Sequence, residues 1–296
     1  MNDIWIQPDA GLGNRLNCIY TGLYYSRKYG KKLHIVWTRE NCCNVPFEKL
    51  FEPMENVEVH TLFLLGKRPG YILRSYLGAR QLKELKENMD FLDAGATRYL
   101  YIDGGEEAVC TKLEQDKPVL FMSSGPFCDI EHFAQMRREI CPKKEIRDRV
   151  DMILEPYRGK RLVGIHIRRT DHQTAIDKSP VEKFTEFMDR QGEDTYFYLA
   201  TDDETIRQEL EVRYKLIPRM PFAKSVTRKS SDGMRDAYVE MLCLAGCECI
   251  LGSFGSTFSM IAAFMGECRL DFAGQESYWN EELKINECLI ASWMRN

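Results

Sequence analysis

The stretch that decides the fold is Leu162-Val163-Gly164-Ile165-His166-Ile167-Arg168-Arg169-Thr170-Asp171. It begins as an apolar, β-branched run, which predicts a buried strand, and it ends in charged residues. In an open α/β sheet, ligands bind beyond the carboxyl ends of the strands. Two adjacent guanidiniums suit phosphate, because each offers a planar fork of donors and stays charged at any working pH. The stretch therefore predicts a diphosphate site, and the alternative is an Arg–Asp ion pair that only closes the strand.

Two later blocks follow the same plan of a strand that leads into a polar loop. The first is Tyr198-Leu199-Ala200-Thr201-Asp202-Asp203. The second runs from Glu240 to Ser259 and contains a short strand, the loop Gly252-Ser253-Phe254-Gly255-Ser256-Thr257 and the start of a helix. Free amides at a helix amino terminus bind anions, and small side chains let a phosphate approach the backbone. This loop is thus a second predicted phosphate site.

The three blocks together resemble the motifs of a fucosyltransferase superfamily. It includes the α-1,6-, α-1,2- and protein O-fucosyltransferases and the bacterial nodulation fucosyltransferase, and the resemblance covers the region from Val163 to Gly266. The α-1,6 branch is most similar, because its first two motifs read almost as they do here. The resemblance implies an α/β fold of the GT-B type, with two Rossmann-like domains facing a central cleft. It also implies transfer of L-fucose from GDP-β-L-fucose with inversion and without a metal or other cofactor.

The resemblance also implies roles for individual residues. The counterpart of Arg168 binds the β-phosphate of the donor, and Glu240 stands where the α-1,6 branch has Asp. One carboxylate accepts from N1–H and N2–H₂ of guanine, so Glu240 is predicted to recognise the base, together with His166. The other predicted donor-binding residues of this half are Arg169, Asp171, Asp202, Ser256 and Thr257.

The catalytic base is predicted to be Asp177. The α-1,6 branch has an acidic residue a few positions past its first motif, followed by a proline, and here the loop before Pro180 is about one residue shorter. A carboxylate near the anomeric carbon is the usual base for such a reaction. Asp171 is the first alternative, although Asp171 belongs to the motif and its role could instead be to hold Arg169. His172 is the second alternative, because its unperturbed pKa suits proton transfer.

The amino-terminal segment from Ile4 to Leu16 predicts a strand, a glycine loop and a helix that runs to about Tyr29. A dinucleotide fingerprint is rejected, because Leu16 occupies its last glycine position and is too large for close packing of helix and strand. A similar loop occurs at the first strand in several fucosyltransferase branches. The resemblance therefore implies donor contacts from Gly13, Asn14 and Arg15, and the alternative is a loop that only turns the chain.

The length and composition of the chain limit the number of domains and the cellular compartment. At 296 residues the chain predicts two domains of ordinary size. We place them at 1–157, on the acceptor side, and 158–296, on the donor side. A net charge of −4 argues against a nucleic-acid partner. Eleven cysteines, an odd number, and no signal peptide before the first strand indicate reduced thiols and a cytoplasmic protein with at most peripheral membrane contact.

Further elements are predicted from periodicity and capping. Strands are expected at 32–37, 118–122 and 195–199, and a helix from Lys143 to Tyr157. Ser179 with Glu182, and Thr201 with Glu204, are predicted as capping boxes. A helix from Asp232 is expected to bury Met234, Tyr238 and Met241. A last helix, carrying Trp279, Ile285, Leu289 and Trp293, is expected to pack back on the first domain.

Two groups of residues could bind a metal ion, and both interpretations are disfavoured. Asp202 and Asp203 offer carboxylates, but acidic residues are at home in a first helical turn. The second reading is zinc on Cys243, Cys247, Cys249 and Cys268. Their spacing is not the paired pattern of structural zinc sites, and free cysteine is among the most buried residue types.

Two alternatives to fucosyl transfer stay open. The phosphate and guanine contacts do not identify the hexose, so the donor could be another GDP-sugar. A catalytically silent protein of the same fold that binds nucleotides or glycans is the second alternative, because site residues and not folds carry function. The acceptor is expected to be a glycan or a lipid-linked oligosaccharide.

Overall fold

The computed structural model describes residues 3–66, 70–94, 105–170, 173–223, 229–275 and 279–286. Contacts among them group into two compact units. The first unit comprises 3–143 and 229–235, and the second comprises 144–223 and 236–286. The sequence placed the boundary later, after residue 157. The helix before that point belongs to the second unit, because Arg149 Nη1 donates to the carbonyl of Met220 (2.7 Å) and Tyr157 packs on Tyr196.

The first unit is a five-stranded parallel sheet with helices between the strands. The strands stand in the order β3-β2-β1-β5-β4. The elements are β1 (Ile4–Pro8), α1 (Leu12–Tyr29), β2 (Leu33–Arg39), a 3₁₀ turn (Phe47–Lys49), β3 (Val57–Phe63), α2 (Ile72–Asn88), β4 (Asp90–Ala94), α3 (Gly105–Glu114), β5 (Val119–Ser123) and α4 (Ile130–Gln135).

Helix α1 lies directly on the central strand β1. Ile4 and Ile6 of β1 are fully buried, and a Cβ added at Gly22 of α1 would lie 2.8 Å from Ile6 Cδ1. Only glycine permits that approach, so Gly22 fixes how closely the first helix covers the sheet.

The second unit is built on a four-stranded parallel sheet in the order β7-β6-β8-β9, followed by a small antiparallel pair. Its elements are α5 (Lys144–Leu154), a 3₁₀ turn (Glu155–Tyr157), β6 (Arg161–Ile167), α6 (Gln173–Lys178), α7 (Val181–Asp189), β7 (Thr195–Thr201), α8 (Glu204–Arg213), α9 (Ser231–Ala245), β8 (Cys249–Gly252), α10 (Thr257–Gly266), β9 (Arg269–Phe272), β10 (Trp279–Asn280) and β11 (Ile285–Asn286). Helix α9 begins within the residues grouped with the first unit.

One face of the second sheet forms a continuous apolar core. Val163, Ile165 and Ile167 of β6 are fully buried and pack with Phe184 of α7 and Leu199 of β7. Buried strands of a parallel sheet carry such continuous β-branched runs because helices cover both faces. The apolar half of the motif stretch thus anchors its polar end.

The predicted strands and the long helices are confirmed, with two corrections. Ser179 does not cap α7, because Pro180 is the N-cap residue and makes no side-chain cap bond. Trp279 and Ile285 lie in β10 and β11 and not in a helix. The other two residues of that predicted helix, Leu289 and Trp293, lie outside the described residues.

The sequence did not predict β3, α2, β4, α3, α4 or α6. For α2 and β4 the reason is that the region from Gly66 to Gly105 shows no clean period. Among the described residues, every helix is too short or too polar to cross a membrane.

We expect Phe184→Ala to lower the free energy of unfolding of the second unit by about 3–5 kcal/mol, because it removes a fully buried ring from the core. Urea denaturation followed by circular dichroism measures the change. Val212→Ala is the control, since Val212 in α8 is 88% exposed, and its effect should stay within about 0.5 kcal/mol. Equal losses in the two variants would contradict this description of the core.

Candidate active site

Three neighbouring strands of the second unit end at the same edge. In the register, Ile167 of β6 pairs with Thr201 of β7, and His166 pairs with Gly252 of β8. Arg168, Asp202 and Ser253 are the next residues along the three strands. All three motif blocks of the sequence therefore meet at the carboxyl edge of one sheet, as ligand sites of parallel sheets do.

The segment Arg168–Thr170 is held from both sides at this edge. The Ser253 hydroxyl accepts a hydrogen bond from the backbone N–H of Arg168 (3.0 Å). The Asp202 carboxylate accepts from the backbone N–H of Arg169 (2.7 Å) and from the Thr170 hydroxyl (2.6 Å). Asp202, predicted to touch the donor, is thus engaged by protein donors and positions the arginine segment.

The two arginines of the motif differ in their surroundings. Arg169 Nη1 donates to the carbonyl of Ile176 in α6 (3.3 Å), so this side chain is turned toward the neighbouring helix. Arg168 is half-buried at the strand end. The predicted contributions of Asp171 and His172 lie outside the described residues.

The loop between β8 and α10 has the geometry of an anion site. Gly255 has φ of +62°, a conformation that favours glycine, and Ser256 is the N-cap residue of the ten-residue helix α10. Among the described residues, the buried Ser256 hydroxyl has no hydrogen-bond partner. Thr257 is half-buried in the first turn of α10. Unpaired amides and an unused buried hydroxyl at one helix start leave donors available to a bound anion.

His166 is fixed against the same helix. Its Nδ1 lies 2.6 Å from the Ser259 hydroxyl, and its ring packs on Phe258. A Cβ added at Gly252 would lie 2.5 Å from that hydroxyl oxygen. Gly252 therefore permits the close approach of β8 and α10 that holds the His166 ring.

Glu240 lies on α9 among basic and aromatic groups. Its side chain is 15% exposed, and Oε1 is 3.6 Å from Nη1 of Arg219. Burial raises the pKa of Glu240 to about 7, and the guanidiniums of Arg219 and Arg207 oppose this rise. A buried carboxyl group with a raised pKa is typical of a functional site, although structural ion pairs also shift pKa values.

The two arginines beside Glu240 were missed by sequence reasoning. Arg207 is 3% exposed on α8 and donates to the carbonyl of Leu199, whereas Arg219 also pairs with Glu204 (2.8 Å). Both lie far from Glu240 along the chain. No spacing in the sequence indicates this proximity, because Arg207 lies on α8 and Arg219 in the segment after it, and only the tertiary fold brings both near Glu240.

The residue after Asp202 has a structural role. Asp203 is the N-cap of α8, and its carboxylate accepts from the backbone N–H groups of Thr205 (2.9 Å) and Ile206 (3.3 Å). The predicted capping box is therefore displaced, because Thr201 ends β7 and accepts from the N–H of Asp203.

The cysteines weighed as zinc ligands are mostly buried thiols. Cys243, Cys247 and Cys268 are buried, and burial raises the pKa of Cys243 and of Cys268 to about 12. These three side chains lie in the apolar core of the second unit, where a buried cysteine packs as a small hydrophobic residue.

The predicted base, Asp177, lies on the short helix α6. Its carboxylate is exposed and accepts from Nε2 of Gln173 (2.7 Å). Ser179, just after α6, accepts from the N–H of Phe254 (2.9 Å) and donates to the carbonyl of Ala273 (3.0 Å). The hydrogen bonds of Arg169 and Ser179 thus tie α6 to the motif stretch and to the loop before α10.

The glycine loop of the first unit is supported from inside by a buried arginine. Gly13 is buried in the first turn of α1, and Asn14 Oδ1 is buried without a hydrogen-bond partner among the described residues. Arg15 is fully buried, donates to the carbonyls of Ala10 and Thr38 (2.8 Å each) and pairs with Glu40 (2.6 Å). Arg15, predicted to contact the donor, is therefore an internal support of the loop, and Asn14 is the polar group left for a ligand.

Comparison of the whole fold places the chain in a known structural class. The fold is α/β of the GT-B type, and its structural neighbours are fucosyltransferases of that type. NodZ α-1,6-fucosyltransferase soaked with GDP-fucose superposes with a TM-score of 0.57 and 16% identity, over 89% of this chain and 93% of the other.

Two further neighbours agree. A mutant of Arabidopsis thaliana FUT1 in complex with GDP gives a TM-score of 0.58 and 12% identity, over 96% of this chain and 78% of the other. POFUT1 in complex with GDP-fucose gives a TM-score of 0.54 and 12% identity, over 93% of this chain and 98% of the other. No family model matches the sequence, and neither does any curated protein.

The raised pKa of Glu240 predicts how stability depends on pH. The folded state binds the proton of Glu240 more tightly than the unfolded state does, because the pKa of the unfolded Glu is near 4.5. Protonated Glu240 therefore stabilises the folded state fully below about pH 4.5, and this stabilisation is lost as pH rises through about 7. Glu240→Gln should abolish that part of the decline, on the order of 3 kcal/mol. Urea unfolding of both proteins at intervals from pH 4.5 to pH 8 measures it. Parallel curves for the two proteins would contradict the burial of an ionisable Glu240.

Proposed function

We propose that the chain is an inverting, metal-independent glycosyltransferase that moves L-fucose from GDP-β-L-fucose to a glycan hydroxyl. The observation that carries the proposal is the arginine segment held by Ser253 and Asp202 at the strand edge that also carries the start of α10. The fold neighbours bound to GDP or GDP-fucose support the choice of donor.

The first task of such an enzyme is to stabilise the leaving diphosphate. We assign Arg168 to the β-phosphate, and the Ser256 hydroxyl, the Thr257 hydroxyl and the Thr257 amide to the remaining oxygens. Pre-aimed donors are commonly the largest catalytic contribution where negative charge grows. The proposal needs no divalent ion, because these donors carry the developing charge.

The second task is to remove the proton of the acceptor hydroxyl. We assign this to Asp177, because α6 is tied by hydrogen bonds to Arg169 and, through Ser179, to the loop before α10. The carboxylate is exposed and therefore accessible to an acceptor. Asp171 is the alternative base, and His172 ranks after it. The reaction is a single displacement through an oxocarbenium-like sugar.

Glu240 and His166 are assigned to the guanine. An ionised carboxylate accepts the two hydrogen bonds that guanine donates from N1 and N2. With Glu240 titrating near pH 7, the affinity for GDP should rise with pH up to that value and then level off. Gly13 and Asn14 of the first unit, the acceptor-side domain of this proposal, complete the donor contacts.

The proposed acceptor is a surface polysaccharide or a lipid-linked oligosaccharide presented in the cytoplasm, with at most peripheral contact of the enzyme with the membrane. The other readings are a transferase for a different GDP-hexose and a silent binder. Release of GDP from a panel of GDP-sugars separates them. GDP-fucose should be turned over fastest, and binding without GDP release from any sugar would make the protein a binder.

Arg168→Lys should lower turnover by about a hundredfold or more, because a point charge cannot replace the planar fork on a diphosphate. The measurement is the rate of GDP release from GDP-fucose at saturating donor. Arg149→Lys is the control, since Arg149 lies on α5, outside the proposed site, and it should leave the rate unchanged. Nearly the wild-type rate in the Arg168→Lys variant would remove Arg168 from the phosphate site.

Asp202 and Asp203 offer a matched pair of variants. Asp203→Ala should cost about 1 kcal/mol of stability through the lost helix cap while GDP binding stays unchanged. Asp202→Ala should weaken GDP binding by about tenfold, because it frees the Arg168–Thr170 segment. Calorimetric titration measures GDP binding by both variants.

Turnover in EDTA tests the same two carboxylates as metal ligands. A complete loss of activity in EDTA that metal restores would make both of them metal ligands.

A further inference from the structure

A second group of polar side chains lies in the first unit, on the strands β2 and β3. His34 of β2 is paired in register with Glu58 of β3, and His60 follows Glu58 by two residues. Side chains two residues apart on a strand share one face of the sheet. The three side chains therefore project from the same face, in the first half of each strand and away from the carboxyl edge.

The three side chains converge at the spacing of metal ligands. His34 Nδ1 and His60 Nε2 share a hydrogen bond (2.9 Å), which a bound ion would replace. The Glu58 carboxylate oxygens lie 3.8 Å from His34 Nδ1 and 3.7 Å from His60 Nε2. Ligand atoms of a tetrahedral zinc ion are about 3.3 Å apart, since each Zn–N or Zn–O bond is about 2.0–2.1 Å. Shifts of a few tenths of an ångström would thus admit an ion.

The rings are already oriented for this role. Trp5 of β1 stacks on His34, with centroids 4.1 Å apart, and on His60, at 4.9 Å. Nε2 of His34 lies 3.1 Å from the Asp3 carboxylate, which accepts its hydrogen and leaves the Nδ1 lone pair facing His60 and Glu58. A carboxylate on the far nitrogen is how metal-binding histidines are commonly fixed.

A lysine pairs with the carboxylate of this cluster. Lys32 Nζ is 2.6 Å from Glu58 Oε2, and its side chain is 43% exposed. A flexible, exposed lysine can leave the carboxylate at little cost, since exposed ion pairs contribute little free energy. An incoming divalent ion would take over its charge.

We propose that His34, Glu58 and His60 form a site for a divalent transition-metal ion, with Zn²⁺ as the best match. Two imidazoles and one carboxylate favour zinc over magnesium or calcium, which prefer oxygen ligands. Water would complete the coordination. The ion would join β2 to β3 and stabilise the first unit, which is a role separate from the proposed transfer of fucose.

The described residues hold a second cluster that serves as a contrast. The Glu106 carboxylate accepts from the Tyr24 hydroxyl (2.8 Å) and from the N–H of Asp129 (2.9 Å), and it faces Lys28 and His132. These partners lower the pKa of Glu106 to about 2 despite its partial burial. Protein donors satisfy this carboxylate, so it does not need a metal ion.

The test uses the full chain, stripped with a chelator and kept reduced, and titrates it with Zn²⁺ by calorimetry and with Co²⁺ by visible spectroscopy. We expect one equivalent of tightly bound ion and a Co²⁺ spectrum without thiolate charge-transfer bands. His60→Gln should weaken binding by at least about tenfold, and Asp3→Asn by about tenfold. Lys32→Gln should tighten binding, and His132→Gln should change nothing.

Zinc should also raise the melting temperature of the wild type but not that of His60→Gln, while turnover of a GDP-sugar at assay temperature is the same with and without it. The higher zinc affinity expected for Lys32→Gln cannot arise from misfolding. This variant therefore keeps the test decisive if a histidine variant is unstable. Equal affinity in wild type and His60→Gln, or thiolate bands in the cobalt spectrum, would overturn the proposal.

Discussion

The structure of the candidate site depends on the hydrogen bonds that hold the Arg168–Thr170 segment at the end of β6. Backbone N–H groups just past a strand end have no ladder partner, and here Ser253 and Asp202 accept from them on opposite sides. The two acceptors follow β8 and β7, which flank β6 in the sheet. Strand order thus determines which motif residues can reach one another, and the backbone that carries Arg168 is already fixed before an anion binds.

The second constraint is the cost of burying charge on α9. Glu240 has Arg219 and Arg207 nearby, yet its pKa is raised, so desolvation outweighs both attractions. A buried carboxylate of this kind gains most from a ligand that donates two hydrogen bonds to it. The edge of guanine offers that pair, and the proposed function accounts in this way for an acidic residue at this position.

Much of the second unit could be predicted from the sequence, because its signals are local. Apolar runs located β6, β7 and β8, rich in β-branched residues in β6 and in aromatic residues in β7, and the small residues before Thr257 located the start of α10. The first unit was predicted only near β1, β2 and β5. Helix α2 was missed because it is mostly exposed and its apolar residues, such as Ile72, Leu73 and Leu77, do not form one buried face.

The site residues follow the same division. The positions of Arg168, Ser256 and Glu240 could be inferred from motif spacing, whereas the enclosure of Arg15 by Glu40 and Thr38 depends on packing between β2 and α1. Likewise, Ser179 has the sequence of a helix cap but is used to fasten the loop at Phe254. Short polar side chains satisfy whichever neighbour the tertiary fold brings to them, and a local pattern cannot specify that neighbour.

The most direct test of the proposed donor is whether the second unit recognises a guanine nucleotide through Glu240. Calorimetric titration of GDP, ADP and UDP at pH 8, where the carboxylate is ionised, measures this in wild type and Glu240→Gln. We expect wild type to prefer GDP, and the variant to lose GDP affinity by roughly one to two orders of magnitude while its weak binding of ADP and UDP hardly changes. Equal GDP affinity in the two proteins would show that Glu240 does not recognise the base.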